Sequence, residues 1–320
     1  MKRSGDGERE RLPLLSVVVV TRGRCGVMDL VLEGLGCQDC EDWQMEVVVV
    51  DAGAEGEVVV GGLERFAWRV VRLDGAATWM EARMAGVGEV RGAWVGFLGD
   101  HFVPEPGWAA ALMEAAGDGR WVALGSVFAN GSEDSWWTRA SLVSDYGHYL
   151  APYAGREEGW LAGSCIAYER GYLVRNRERI LEVAGVDFTI QEMVSHEGLR
   201  MRVVPGARVG HLAFAGIGAM MAAGYEHARL LVEGRMRMGM RGWWWRVVRL
   251  AGLGLVVPLQ WVRLGRAMGC GGIGRLVRAF PVVVAGTLAA VLGEASGLLW
   301  GVGEAPRRFV EIELGSSRLR

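Results

Sequence analysis

Residues 96–108, GFLGDHFVPEPGW, decide how this chain is read. The apolar run from Trp94 to Leu98 stops at Gly99-Asp100-His101, and Pro104, Pro106, Gly107 and Trp108 follow. A strand that ends on an acid and an imidazole is either capped by a polar turn or presents a metal or phosphate site at the carboxyl edge of a sheet. The neighbouring segments repeat the pattern. Residues 14–20 (LLSVVVV) end at Thr21-Arg22-Gly23-Arg24, and residues 45–50 (MEVVVV) end at Asp51-Ala52-Gly53. Short β-branched runs of this kind predict buried parallel strands.

Working outward, residues 69–73 and 121–128 predict further strands, and residues 27–35, 79–89 and 109–116 predict helices. Residues 136–153 are taken as an aromatic loop carrying Trp136, Trp137, Tyr146, Tyr149 and Tyr153. Residues 186–211 read as helix, turn, strand, Pro-Gly turn and a final His211. Strands alternating with helices imply a mostly parallel α/β sheet flanked by helices. Ligands of such sheets sit beyond the carboxyl ends of the strands, where Thr21, Asp51, Asp100 and His101 fall.

Composition excludes several classes. The 320 residues are 51% hydrophobic and 22% charged, which is not a disordered chain, and the net charge of −2 speaks against a nucleic-acid partner. The five cysteines (Cys25, Cys37, Cys40, Cys165, Cys270) hold a single CxxC, so a zinc ribbon is not expected, and a reduced cytosolic chain is. Cys165 has no accompanying His-Asn constellation and is not read as a nucleophile. The polar tail 1–13 contains no apolar signal core. No GxGxxG follows the first strand, which excludes a Rossmann-type oxidoreductase.

From Arg229 to Arg278 ten arginines face the single acid Glu233. Two apolar stretches, 250–262 and 279–293, are each shorter than the roughly 20 residues that span a bilayer. Arg263, Arg266, Arg275 and Arg278 lie between them, and a spanning hairpin would carry that basic connector across the membrane. The expectation is therefore a membrane surface partner on the cytoplasmic face. The helices would be peripheral or monotopic, with Trp243, Trp244, Trp245, Trp261 and Trp300 near the headgroups. Two short membrane helices, or an ordinary buried subdomain, are the alternatives. The chain divides into the tail 1–13, an α/β domain over 14–224 and a basic, apolar helical region over 225–320.

The ordered set of motifs resembles the family 2 glycosyltransferases of the GT-A fold. The Thr-Arg strand end, Val-Asp-Ala-Gly, Ala82-Arg83-Met84-Ala85-Gly86, FLGDHFVPEPGW, Gly163 to Ala167, a late helix, and then Gly198, Pro205 and His211 carry that resemblance. It covers residues 14–212, and it implies a nucleotide-sugar donor and a glycan or lipid-linked acceptor. It also implies a divalent metal, Mn or Mg, on the donor diphosphate. By resemblance, Asp100, His101 and His211 are the metal candidates, and Thr21, Asp51, Arg83 and Asp100 the donor-side positions. Asp187, or Glu192 as the alternative, would be the base of an inverting transfer. The sequence departs from the family where Gly99 and Ala52 replace acids and Val186 replaces the Glu before Asp187. Those losses also allow a weakened member that binds nucleotide-sugar or glycan without turnover.

Overall fold

The structure is a computed structural model. It describes residues 12–22, 27–53, 60–73, 77–151, 153, 157–239, 242–315 and 318–319. The tail up to residue 11, Cys25 and the side chain of Cys270 lie outside the described residues.

The first half alternates strand and helix as its apolar runs require: β1 (Leu15–Thr21), α1 (Met28–Gly36), β2 (Met45–Asp51), β3 (Ala67–Arg72), α2 (Trp79–Glu89) and β4 (Trp94–Gly99). β1 and β2 are buried along their whole length, as expected of Val-rich strands covered on both faces. β3 is the exposed edge. The chain continues through β5 (Phe102–Pro104), α3 (Trp108–Ala116), β6 (Ala123–Asn130), α4 (Trp136–Tyr146), β7 (Glu157–Glu158) and β8 (Cys165–Glu169). Next come α5 (Arg170–Arg175), α6 (Arg177–Val183), α7 (Asp187–His196) and β9 (Met201–His211). One nine-stranded sheet results, in the order β3-β2-β1-β4-β8-β6-β9-β5, with β7 paired to β9. The sheet is parallel from β3 to β4 and becomes mixed where β8 enters antiparallel to β4 and β6.

Two segments depart from the expected elements. The aromatic stretch after residue 135 is a helix, not a loop, because Ser135 caps it. The Ser135 hydroxyl accepts the Thr138 amide at 3.1 Å, and the Thr138 hydroxyl accepts the Ser135 amide at 3.1 Å. The Pro205-Gly206 pair does not end a strand. Gly125 pairs with Val203 and Val127 with Arg208, so the residues between bulge and β9 runs on to His211.

The prolines of the opening motif also find a cause. Phe102 to Pro104 form the short β5, which pairs antiparallel with β9 so that Phe102 lies opposite His211. Trp108 is fully buried and donates its indole N–H to Ser126 at 3.0 Å. Gln38 accepts the Ala109 amide at 2.8 Å and donates to the Glu105 carbonyl at 3.0 Å, which fastens the start of α3 to α1. At the opposite, amino edge of the sheet, buried Glu46 gathers the Ser16 hydroxyl, the Arg91 amide and the Arg69 guanidinium at 2.6–2.9 Å. Burial alone would raise this carboxyl, but those partners hold it below its ordinary value.

The last third comprises α8 (Ile217–Arg237), α9 (Trp243–Gly252), α10 (Val256–Arg278), α11 (Phe280–Trp300) and α12 (Ala305–Gly315). The position taken as a change of unit, residue 224, falls inside α8. α10 bends at Gly269, whose φ of 61° favours glycine. Two helical stretches, Trp243–Gly269 and Phe280–Trp300, are long and apolar enough to cross a membrane. They exceed the apolar runs read from sequence because helix continues through the flanking arginines and glycines. The first has few buried residues; the second is nearly half buried, mostly against α8. α12 then turns back, and Ala305, Phe309, Val310 and Leu314 join the core beneath the sheet.

The α8–α11 contact is backbone-close. A Cβ added at Gly293 would collide with the Tyr225 carbonyl, and one added at Gly297 would press on the Arg229 backbone. Gly293→Ala is therefore expected to destabilise the chain by about 1–3 kcal/mol through overpacking, read as a lowered Tm in detergent solution. An unchanged Tm would mean that α11 does not dock on α8.

Candidate active site

The register of the parallel strands builds the site. Thr21 pairs with Asp51 across β1 and β2, and Val20 pairs with Gly99 across β1 and β4. Three strand ends therefore stop level, and their last side chains gather at one edge. Thr21 is fully buried and hydrogen-bonds Asp100. Asp100 Oδ1 meets His101 Nδ1 at 3.0 Å. His101 stands edge-on to His211 at 5.7 Å between ring centroids. Asp100 Oδ2, His211 Nδ1 and Asp51 Oδ1 are buried without a hydrogen-bond partner, and His101 Nε2 faces the Glu313 carboxylate at 3.3 Å. Three orphaned polar atoms at one sheet edge are more than a capped turn explains.

Burial sets the charge of this cluster. It pushes Asp100 up to about 8, with Glu313 adding to the rise and Arg318 and Thr21 opposing it. It holds His101 and His211 well below the usual imidazole value, and Arg318 lowers both further. The two rings are therefore neutral, as metal-ligating imidazoles must be.

By the resemblance read from the sequence, an acid is expected where Gly99 stands. A Cβ there would come within 2.8 Å of the Phe102 ring, so β5 has taken the space an acid would need.

Beside this edge lies a cavity of about 230 Å³, lined among others by Gly163, Asp187, His211, Glu313 and Arg318. Asp187 opens α7 and faces it. Gly163 leaves room for the approach, since a Cβ there would lie 3.3 Å from the Asp187 Cβ. The loop carrying Gly163 is tied to the same helix: Gln191 accepts the Leu161 amide at 2.7 Å and donates to the Leu161 carbonyl at 3.0 Å. Glu192 lies elsewhere, paired with Arg235 at 2.7 Å and outside the cavity lining. Asp51 also stands outside that lining, at its strand end.

Arg83 is fully buried on α2. Its guanidinium lies 4.6 Å from each of the Trp79 and Phe97 ring centroids and contacts the Asp187 carboxylate. Burial draws it down to about 10, which leaves it cationic at neutral pH. The sequence placed Arg83 on the donor side; in the structure its charge is committed to Asp187. Cys165 is buried, which pushes its thiol up and away from nucleophile behaviour.

Three cavity residues were not singled out from the sequence. Asp145 of α4 opens onto the cavity. Glu313 of α12 reaches His101 Nε2 at 3.3 Å, and Arg318 follows it. Asp145 sat inside a segment read as a loop, and Glu313 and Arg318 lie far beyond the motif-bearing region. No local signal marks any of them.

The sequence profile of glycosyl transferase family 2 matches residues 16–179, just over half of the chain. The chain belongs to glycosyl transferase family 2. This glycosyltransferase has the GT-A fold. It superposes on the mannosyltransferase PcManGT from Pyrobaculum calidifontis, solved with GDP-Man and Mn2+, with a TM-score of 0.56 and 16% identity. That likeness covers 93% of this chain and 91% of that one. GalNAc-T7, solved with UDP, GalNAc and Mn2+, gives a TM-score of 0.49 at 17% identity over 63% of this chain. The glycosyltransferase spans 44% of the GalNAc-T7 chain. No match was found among curated protein sequences.

Two outcomes follow from the buried charges. Arg83→Met strands the Asp187 carboxylate and should cost about 3–5 kcal/mol in urea unfolding, most of it regained in Arg83→Met/Asp187→Asn. His227, in the cavity wall between Phe188 and Phe309, is lowered to about 4 by burial and by Arg235. Its neutral form stabilises the fold above the free imidazole value of 6.5, and that contribution is lost as the pH falls towards 4. His227→Phe should lose less stability than wild type between pH 6.5 and 4, as measured by thermal unfolding.

Proposed function

We propose that this glycosyltransferase moves a sugar from a nucleotide-sugar to a glycan or lipid-linked acceptor at the cytoplasmic face of a membrane, by one inverting displacement. The observation that carries this reading is that Asp187 faces the same cavity as His211, beside the strand end that holds Asp100 and His101. Asp187 would take the proton of the acceptor hydroxyl as its oxygen bonds to the anomeric carbon. The bond from that carbon to the diphosphate breaks, and the diphosphate leaves with the electron pair. Arg83 fixes the Asp187 carboxylate in place and is a positioning residue.

The donor set fits a divalent ion only in part. Asp100 Oδ2 and His211 Nδ1 are unpartnered, His101 Nε2 faces Glu313 at 3.3 Å, and one carboxylate with imidazoles suits Mn better than Mg. Among the described residues no three such side chains converge closely enough to hold an ion unaided, so diphosphate oxygens would complete the shell. When bound, the ion would neutralise charge on the departing diphosphate.

The membrane half of the proposal rests on α9 and α10. Trp243, Trp244, Val248, Leu255 and Val277 are exposed, and among the described residues Arg263, Arg266, Arg275 and Arg278 pair with no carboxylate. An exposed apolar helix with unpaired arginines suits an anionic lipid surface. The tight α8–α11 contact favours peripheral or monotopic attachment over a freely spanning hairpin.

The filled space at Gly99 favours one second reading, a protein that binds donor without turnover. Thermal unfolding against UDP-, GDP-, ADP-, dTDP- and CMP-sugars, with Mn or with EDTA, separates the possibilities. At least one sugar nucleotide should raise Tm. With that donor, Asp187→Asn should keep the shift and lose about 10²–10⁴-fold in turnover. No shift from any donor would overturn the reading, and a shift in wild type with no transfer to membrane extracts would favour the binding protein.

A further inference from the structure

The end of the chain closes over the site. After α12, Arg318 bridges antiparallel to Phe214, the Leu319 amide donates to the Ala213 carbonyl at 2.8 Å, and the Ser132 hydroxyl donates to the Leu319 carbonyl at 2.6 Å. This strap lays the Arg318 guanidinium flat on the Phe214 ring, 3.4 Å from its centroid. The side chain is 2% exposed and belongs to the cavity wall. Its Nη2 donates to the Glu313 carbonyl at 3.3 Å and lies 3.3 Å from the Glu313 carboxylate. Its Nε and Nη1 are buried without a partner.

A guanidinium is planar and presents its N–H groups as a fork matched to phosphate oxygens. Here the Nε and Nη1 groups are unsatisfied inside a cavity, which is costly unless an anion arrives. The charge balance points the same way. Arg83 is committed to Asp187, and among the described residues Arg318 is in ion-pair contact with Glu313, which also faces His101, while Asp100 and Asp145 act on it from further off. The strand end meanwhile carries one carboxylate where the family has more, because Phe102 fills the space at Gly99.

We propose that Arg318 is a diphosphate-binding residue of the donor site, with Glu313 as its resting counter-ion. On the reading that the cavity takes a nucleotide-sugar, the diphosphate displaces Glu313 from Nη2, so that the Nε–Nη2 edge of the fork can take two phosphate oxygens. The strap thus completes, from the far end of the chain, a donor site whose strand end is short of groups for the diphosphate.

Calorimetric titration of the full chain in detergent micelles, with UDP and UMP and with GDP and GMP, tests this in Mn and again in EDTA. For the nucleotide that binds, Arg318→Gln should reduce the preference for diphosphate over monophosphate at least tenfold in Mn. Glu313→Gln should raise diphosphate affinity several-fold by removing the competitor, in Mn and in EDTA alike. Arg318→Lys should fall between wild type and Arg318→Gln. A merely structural ion pair predicts the opposite for Glu313→Gln, a loss in step with Arg318→Gln, and that outcome overturns the assignment. So does an unchanged preference in Arg318→Gln. Should Arg318→Gln fail to fold, the sign of the Glu313→Gln effect decides alone. If wild type binds neither nucleoside diphosphate under either condition, Arg318 loses this role, while the nucleotide-sugar reading stands or falls separately with the five-donor thermal screen.

Discussion

The register of four parallel strands is the constraint on which the site depends. β3, β2, β1 and β4 are held so that Thr21, Asp51, Arg72 and Gly99 end almost level. Because side chains alternate along a strand, a slip of one residue would send Asp51 or Asp100 to the wrong face. The buried valines on both faces of β1 and β2 prevent that slip, and Glu46 pins the amino edge by joining Ser16, Arg69 and Arg91. Packing and one buried carboxylate at the amino edge thus keep the carboxyl edge in line.

From that edge the structure builds outward through charges placed in low-dielectric surroundings. Arg83 crosses from α2 to the start of α7, held between Trp79 and Phe97, and fixes the direction of Asp187. Breaking such a pair is far costlier than the pair is stabilising, so its value is directional rather than energetic. The neutral imidazoles of His101 and His211 and the raised carboxyl of Asp100 show the same burial acting on a cluster with no buried cation paired to it as closely as Arg83 is to Asp187. A cation or a phosphate entering this edge would relieve those costs, which is why the cluster suits a ligand better than it suits a closed core.

The last third carries both the exposed apolar helices and part of the cavity wall. α8 and α11 pack through glycines at backbone distance, while α9 and the first part of α10 leave their apolar faces bare. The chain then returns through α12 to set Phe309 against Trp79 and Glu313 against His101. α12 thus leads the chain from the exposed helices back to the cavity wall.

By itself the sequence determined the alternation of strands and helices, the polar strand ends at Thr21, Asp51 and Asp100, and the Asp187 start of a late helix. These are local facts, written in β-branched runs, helical spacing and the residues that end them. It misread residues 136–146, because aromatic content outweighed the Ser135–Thr138 cap, and it stopped β9 at Pro205-Gly206, because a bulge is visible only against its partner strand. Tertiary structure alone decided that Arg83 belongs to Asp187, that Glu192 turns to Arg235, that Phe102 fills the space beside Gly99, and that Glu313 and Arg318 enter the cavity. Each of these joins groups distant in sequence, whose meeting is fixed by how layers pack and which charges share a dry interior, and no local pattern encodes that.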